Sequence, residues 1–434
     1  MNKRFSKILL ILAGLLLAGS VVSYLFGNIN VTGIFLIVGL VGIATGVRGY
    51  EKLKGFSYTL WIFTAVTVSM FYPQLFTSVG NFQLKLLIVP LLQIIMFGMG
   101  SQMSFNDFTG IIKMPKGVII GVLSQFAIMP LVGFTIASIF SFPPEIAAGI
   151  ILIGCVPSGL ASNVMSFLAR ANLALAVTIS AVTTLISPFV TPILMKWLGG
   201  QFIEVDFWSM MLDILNMIIL PIIAGFTFNL FSKREADIRS KVIQLVSFAF
   251  VILLTNLVFV KSKNASFAEF AVQFAKSMGW FYFLPMVGAV LLSGYLKGDK
   301  RIMEKVLSLI SMAGIALIVT IITASGRDSL LQVGGLLLLT SLLHNLTGYS
   351  LGYSLAWLTG MPERDRRTIA FEVGMQNGGL ASGLALQMGK VATVGLAPAI
   401  FGPLMNITGS VLANWWRGRP VNEDKSEEVV SDEL

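Results

Sequence analysis

Charge is scarce in this chain. Of 434 residues only 12% are Asp, Glu, Lys or Arg, while 56% are hydrophobic. A soluble protein of this size carries about 25% charged residues, and here many apolar runs reach the ~20 residues that cross a bilayer as a helix. These absences exclude a soluble bundle and predict an all-α, polytopic membrane protein. Cysteine and histidine are nearly missing, with one each, Cys155 and His344. An internal disulfide framework and a multi-histidine metal site are therefore both excluded. No second acid lies near the one mid-helix glutamate, so an intramembrane enzyme lacks its paired groups. The chain is read as no enzyme.

Acidic charge is also displaced to one end. The tail VNEDKSEEVVSDEL holds six acids and one lysine; without it 29 basic residues face 15 acidic ones. In a membrane protein such an excess marks cytoplasmic loops, so a nucleic acid partner is not expected. The start MNKRFSK precedes an apolar run longer than a signal-peptide core, which reads as a retained helix.

The hydropathy pattern predicts fourteen membrane helices, near 8–26, 31–48, 56–75, 82–102, 117–138, 145–169, 173–195, 208–231, 242–260, 278–296, 303–325, 332–357, 369–389 and 393–416. Basic clusters follow only even-numbered helices: Arg48, Lys52 and Lys54; Lys113 and Lys116; Arg170; Lys233, Arg234, Arg239 and Lys241; Lys297, Lys300, Arg301 and Lys305; Arg364, Arg366 and Arg367; Arg417 and Arg419. By the positive-inside tendency both termini are cytoplasmic in a cell (inner or plasma) membrane. The segment 261–277 reads as an outer loop despite its three lysines.

GLAS occurs at 159–162 and 379–382, an offset of 220. The same offset pairs Lys85 with Lys305, Gln125 with Asn345 and Arg170 with Lys390, and superposes three helices of each half. LPIIAG at 220–225 and LPMVGA at 284–289 suggest a second, local duplication in which the hairpin 208–260 copies 278–325. Two seven-helix halves, near 1–200 and 206–416, have matching helices running in opposite directions. Such inverted repeats are typical of secondary transporters that bind cargo at the bilayer midplane.

Two polar islands stand out, GCVPSGLASNVMSFLA at 154–169 and FEVGMQNGGLASGL at 371–384. Each has a helix breaker midway, Pro157-Ser158-Gly159 and Asn377-Gly378-Gly379. Broken helices survive in lipid only where buried in protein or lining a wet cavity. Half-helix N-termini facing one cavity make an anion site, and freed carbonyls suit a hard cation. Glu372 has two readings: an interfacial ion pair with Arg366 and Arg367, or the centre of an intramembrane ion site. In the second reading it joins backbone carbonyls and Ser162, Asn163, Ser180 and Gln125, with Gln376 one turn further on. Such all-oxygen ligation suits Na⁺, or a proton on Glu372 itself. His344, Cys155 and the stripe Met96, Met99 and Met103 read as packing, and Asp213 as a solvated group near a helix end. Asn406 faces either a cavity or a neighbouring helix.

At these residues the chain resembles the bile acid:sodium symporter family, close to its bacterial members. The matching pieces are MFGMG at 96–100, QFAIMP at 125–130, GLASNVMSFLARANLAL at 159–175, ISPFVTPIL at 186–194, LLHNLTGY at 342–349, EVGMQNGGLASGLAL at 372–386 and NITGSVLA at 406–413. The resemblance implies a ten-helix unit of inverted five-helix repeats, with a core built on two crossing discontinuous helices and a panel that moves against it. It implies symport of an organic anion (bile acid, or a small carboxylate such as pantoate) with two Na⁺. One ion site would use Ser162, Asn163, Ser180 and Glu372. The other would use Gln125, Glu372, Gln376 and the carbonyls of Val373 and Met375. The anion would sit near Asn377, Asn406, Ser158, Gly159 and Gly378. Departures from the family pattern are Ala176 for a serine ligand, Leu160 for a threonine and Met405 for a histidine. Proton coupling or export on the same scaffold is the alternative. Expected divisions are an extra hairpin 1–50, panel 51–105, core 106–200, inserted hairpin 201–265, panel 266–328, core 329–418 and acidic tail 419–434. The sequence fixes no oligomeric state.

Overall fold

The computed structural model describes residues 3–50, 56–103, 110–232, 238–263, 265–284, 286–287, 300–419 and 421. Lys52, Lys54, Lys233, Arg234, Lys297, the later part of the expected helix 278–296 and the acidic tail lie outside them.

The principal helices are α1 (Lys3–Leu25), α2 (Ile29–Gly46), α3 (Ser57–Phe71), α4 (Ile88–Gln102), α5 (Pro115–Ile139), α6 (Pro144–Cys155), α7 (Ala161–Leu168) and α8 (Leu173–Leu198). They continue with α9 (Phe207–Ile214), α10 (Leu220–Ser232), α11 (Ile238–Lys263), α12 (Phe267–Met278), α13 (Lys300–Ser325), α14 (Arg327–Leu358), α15 (Glu363–Gly374), α16 (Gly378–Gln387) and α17 (Leu396–Arg417). Among the described residues the one sheet is a hairpin pairing Ser78–Val79 with Phe82–Gln83. Nine described helices are long and apolar enough to cross a membrane by length and composition.

Two predicted spans are each interrupted. Pro157 has no N–H to continue α6, and Val156 leaves it with extended backbone. Met375 is likewise extended after α15, and Asn377 caps α16 through its side chain. The two breaks then satisfy one another. Gly159 N–H donates to Met375 O and Asn377 N–H to Pro157 O, both at 2.9 Å, forming an antiparallel bridge between Ser158 and Gln376. Two carbonyls at the ends of the first half-helices are held by side chains. Gln125 Nε2 donates to Val156 O at 2.9 Å, and Asn345 Nδ2 to Gly374 O at 2.8 Å. Each such group left bare in lipid would cost several kcal/mol, roughly. Gln125 and Asn345 are partners in the sequence register of 220, yet the bridge joins residues 218 apart.

The outer turns are cross-linked as well. Glu145, in the first turn of α6, accepts from Lys390 Nζ and from Thr393 Oγ1, both beyond α16. Asp365, in the first turn of α15, accepts from Asn172 beyond α7 at 2.8 Å. Glu145 and Asp365 are 220 residues apart. Each broken helix is thus fastened at its entry to the loop that leaves the other.

Around this pair pack α5, α8, α14 and α17. A second layer contains α3, α4, α10 and α13, in which α4 packs on α10 and α13. The α4–α10 crossing is very close: a Cβ on Gly100 would lie 1.9 Å from Ile222 O, and one on Gly225 would lie 2.0 Å from Phe97 O. The segment 201–265, expected as an inserted hairpin that duplicates a panel hairpin, contributes α10 to this layer, where it packs on α4. The 261–277 segment differs from expectation. It forms α12, with a capping box between Ser266 and Glu269, and continues through a π-turn at Gly279–Phe283. Phe267, Phe270 and Phe274 recur at helical spacing and stack at 6.1 Å centroid distances. α12 packs on α11.

Candidate functional site

Glu372 lies one turn before the α15 break and is fully buried. Its Oε1 accepts from Ser162 Oγ at 2.5 Å, and its Oε2 from Ser158 and Ser180 Oγ at 2.7 and 2.8 Å. The break in the first repeat brings Ser158, the first turn of α7 brings Ser162, and α8 brings Ser180. Asn163 Oδ1 is 3.5 Å from Ser180 Oγ, and Thr183 Oγ1 is 3.4 Å from Ser158 Oγ.

The interfacial alternative for Glu372 does not hold. Arg367 pairs with Glu363 at 2.9 Å and donates to the carbonyls of Ala169, Trp416 and Arg419. Arg366 lies 3.8 Å from the same Glu363. The buried carboxylate is therefore met by neutral hydroxyls.

Beside it lies an amide pair. Gln125 Nε2 donates to Gln376 Oε1 at 2.7 Å, and Gln376 Nε2 donates to Val373 O at 2.5 Å. Met375 O accepts from Gly159 N–H. All eight residues expected to face the ions thus gather around one crossing, through carboxylate, hydroxyl, amide and peptide oxygens. Hard cations such as Na⁺ take ligands of this kind, and the soft or imidazole ligands of zinc and copper are not part of the set.

On the other side of the breaks is a cavity of about 110 Å³. Asn377, Gly378, Gly159 and Asn406 line it, opposite Leu92, Ile95 and Met96 of α4. Asn406 thereby faces the cavity. Asn377 Oδ1 accepts from Leu380 N–H at 3.0 Å, which fixes the side chain at the half-helix entrance. Ser158, expected with the anion, is placed elsewhere: its hydroxyl turns to Glu372 because the bridge presents it to the carboxylate side. Leu160 and Met405 line the same cavity and add apolar wall to it.

Several participants escaped the sequence reading. Thr183 lies three residues after Ser180, so helical spacing could have found it. Thr408 donates to Asn345 Oδ1 at 2.6 Å and holds the amide that caps Gly374 O. The Glu145–Lys390–Thr393 cluster had no local signal, as Glu145 is 245 residues from Lys390 in sequence. His344 fits its packing assignment, with Nε2 2.9 Å from Met129 O and its ring against Phe401. Met96 is buried in the core and meets the small cavity, and Met99 packs against that core beside a separate apolar chamber of about 650 Å³ that Met103 also lines.

Known proteins resemble this chain in sequence. Residues 89–270 match the Sodium Bile acid symporter family. A protein of Bacillus subtilis (strain 168), described as the uncharacterized sodium-dependent transporter YocS, is 33% identical over 371 residues, spanning 85% of this chain and 94% of that one. The probable sodium/metabolite cotransporter BASS1, chloroplastic, of Arabidopsis thaliana is 29% identical over 326 residues, 75% of this chain and 65% of the plant protein. Among solved structures, the sodium proton antiporter MjNhaP1 from Methanocaldococcus jannaschii aligns with a TM-score of 0.48 at 12% identity, covering 89% of this chain and 98% of that one. Membrane-length helices, the motifs around the two breaks and a full-length relative at this identity lead to one assignment: the chain belongs to the sodium bile acid symporter family.

Proposed function

We propose that this protein is a Na⁺-coupled symporter that carries a small organic anion inward by alternating access. The observation that carries the reading is Glu372, a buried carboxylate held by three hydroxyls between two mutually bridged helix breaks. Taking a carboxylate out of water costs several kcal/mol, roughly, unless a cation accompanies it. Two Na⁺, one among Ser162, Asn163, Ser180 and Glu372 and one among Gln125, Glu372, Gln376, Val373 O and Met375 O, supply that partner. Their charge in turn lowers the cost of bringing an anion to the α16 entrance at Asn377 and Gly378.

The cavity volume favours a small carboxylate, such as pantoate or a keto acid, over a steroid. Drug-sized ligands occupy pockets of about 300–1,000 Å³, against about 110 Å³ between the breaks and α4. α5 to α8 and α14 to α17 form an inverted-repeat core that moves against a panel of α3, α4, α10 and α13. In this division α1–α2 and α11–α12 are the peripheral hairpins. Both termini face the cytoplasm of the cell membrane.

Uptake of labelled pantoate and small keto acids into proteoliposomes, with Na⁺ outside and then with choline in its place, tests the proposal. Uptake by the Na⁺ gradient alone is expected; rates equal in choline for every anion transported refute it. A second reading rests on the same hydroxyl cage, since hydroxyls serve a carboxylic acid as well as a carboxylate. Proton coupling predicts uptake that follows the pH gradient in choline and loses that dependence in Glu372→Gln.

A further inference from the structure

A second cavity lies on the seam between the two layers, and the ion and anion sites do not use it. It measures about 570 Å³ and is polar. One wall comes from the panel side, with Lys85 just before α4 and Ser325 at the end of α13; the other comes from the core, with Glu145 and the segment from Gly389 to Thr393. The same elements line the small cavity further along. Helix α4 contributes Leu92 and Ile95 there, α13 contributes Val319, and α17 contributes Pro398. From Lys85 to Leu92 is seven residues, and from Ser325 to Val319 six. At 1.5 Å per helical residue the two cavities are stacked about 10 Å apart along one seam.

Between them the seam is shut by apolar contact. Ile88, Ile322 and Leu396 are fully buried at this level. A Cβ on Gly395 would lie 3.2 Å from Ile322 Cγ2, and one on Gly326 would lie 2.5 Å from Ala392 O and 2.6 Å from Leu396. The polar cleft is therefore a chamber outside a closed gate, bounded on both sides by the parts that must separate when the gate opens.

Its charge is asymmetric. Lys390 is matched by Glu145 within the core. Lys85, from the panel side, is half-buried and has no carboxylate partner among the described residues. The lining thus carries two ammonium groups and one carboxylate, a net charge of +1, in a cleft whose low-dielectric walls concentrate the field.

We propose that this cleft is the antechamber of the transport path: a first station where the carboxylate or sulfonate head of the anion is drawn to the ammonium groups of Lys85 and Lys390 before the seam opens. The inference rests on the organic-anion reading above and adds the residue that selects for negative charge at the entrance. Lys85 belongs to one moving part and Lys390 to the other, so the station is intact only while the gate is closed. Opening pulls the two ammonium groups apart and weakens their shared hold on the head group as the inner site becomes reachable.

The test needs no knowledge of the natural substrate. A cysteine placed by Ser325→Cys in the cleft wall is labelled in proteoliposomes by two impermeant methanethiosulfonates, one bearing a sulfonate and one a trimethylammonium group; Cys155 is buried. Relative to their rates with a free thiol, the sulfonate reagent is expected to be favoured about tenfold at low ionic strength, the low end of electrostatic focusing in clefts. Adding Lys85→Gln should remove most of that preference, and Lys85→Glu should reverse it. Added pantoate should slow the sulfonate reagent more than the cation. Lys113→Gln, remote from the cleft, should leave the rates unchanged. If Lys85→Gln and Lys85→Glu keep the original preference, the antechamber is refuted even where Na⁺-driven uptake persists. If uptake proves independent of Na⁺ while the charge preference follows Lys85, the coupling fails and the antechamber stands.

Discussion

Replacing Glu372 by glutamine separates its structural from its electrostatic role. The carboxylate accepts three hydroxyl hydrogen bonds, at 2.5, 2.7 and 2.8 Å. Bonds to a charged group contribute about 1.5–3 kcal/mol each, so the three supply about 4.5–9 kcal/mol against a desolvation cost of several kcal/mol per ion. The two nearly cancel, which leaves a bound cation to tip the balance. Glutamine keeps the shape and an amide oxygen for the hydroxyls, so the fold should persist. What it removes is a unit charge beside the ion, worth about 4 kcal/mol at an effective dielectric of 20 and a separation of about 4 Å. The retained amide oxygen recovers part of that, so the Na⁺ dissociation constant should rise by at least about a hundredfold. Thermal unfolding in detergent measures this directly. At a Na⁺ concentration one hundred times the original constant, binding stabilises the unmodified protein by about 2.7 kcal/mol; after a hundredfold loss the same Na⁺ contributes about 0.4 kcal/mol. The Tm rise with NaCl over choline chloride should therefore nearly vanish in Glu372→Gln. A rise equal to that of the unmodified protein, or a half-saturation within about threefold of it, would refute the ion site.

Other substitutions probe the frame around the site. Gly159→Ala places a Cβ 2.6 Å from Gln376 O, so the bridge must open; the variant should lose uptake and several degrees of Tm, whereas Gly378→Ala meets nothing nearer than 3.5 Å and should keep its Tm. Gly225→Ala sets a Cβ 2.0 Å from Phe97 O and should destabilise the α4–α10 pair by about 1–3 kcal/mol, read as a lower denaturation midpoint. The Glu145 carboxylate accepts from Lys390 and Thr393 at the entry of α6. Glu145→Gln should lower stability by up to about 1 kcal/mol, read as a lower denaturation midpoint, and an unchanged midpoint would remove the ion pair from the account.

Much of this arrangement was legible in the sequence because membrane helices announce themselves. Backbone groups must be satisfied within the helix, so long apolar runs leave few alternatives, and Pro157 and Asn377 could be read as interruptions. Glu372 stood out because an acid in such a run is costly. Contacts made across the repeats were less legible. Ser158 was expected at the anion, yet its side chain follows the strand-like pairing with Gln376, a long-range geometry without a local pattern. The hairpin 201–265 was expected as a copy of the panel hairpin 278–325, and likeness of sequence alone does not say which of its helices lies against Gly100. The α12 segment was expected as an outer loop, although Phe267, Phe270 and Phe274 keep helical spacing.

The mutual pairing of the breaks has a consequence for biogenesis. Pro157 O and Gly159 N–H receive their partners from Asn377 and Met375, about 220 residues later in the chain. While a ribosome makes the intervening helices, the first break has no complement within its own half and must wait beside the translocon, hydrated or shielded by other proteins. Neither repeat can complete itself, so a polypeptide truncated before residue 375 is expected to leave Pro157 O and Gly159 N–H without their partners.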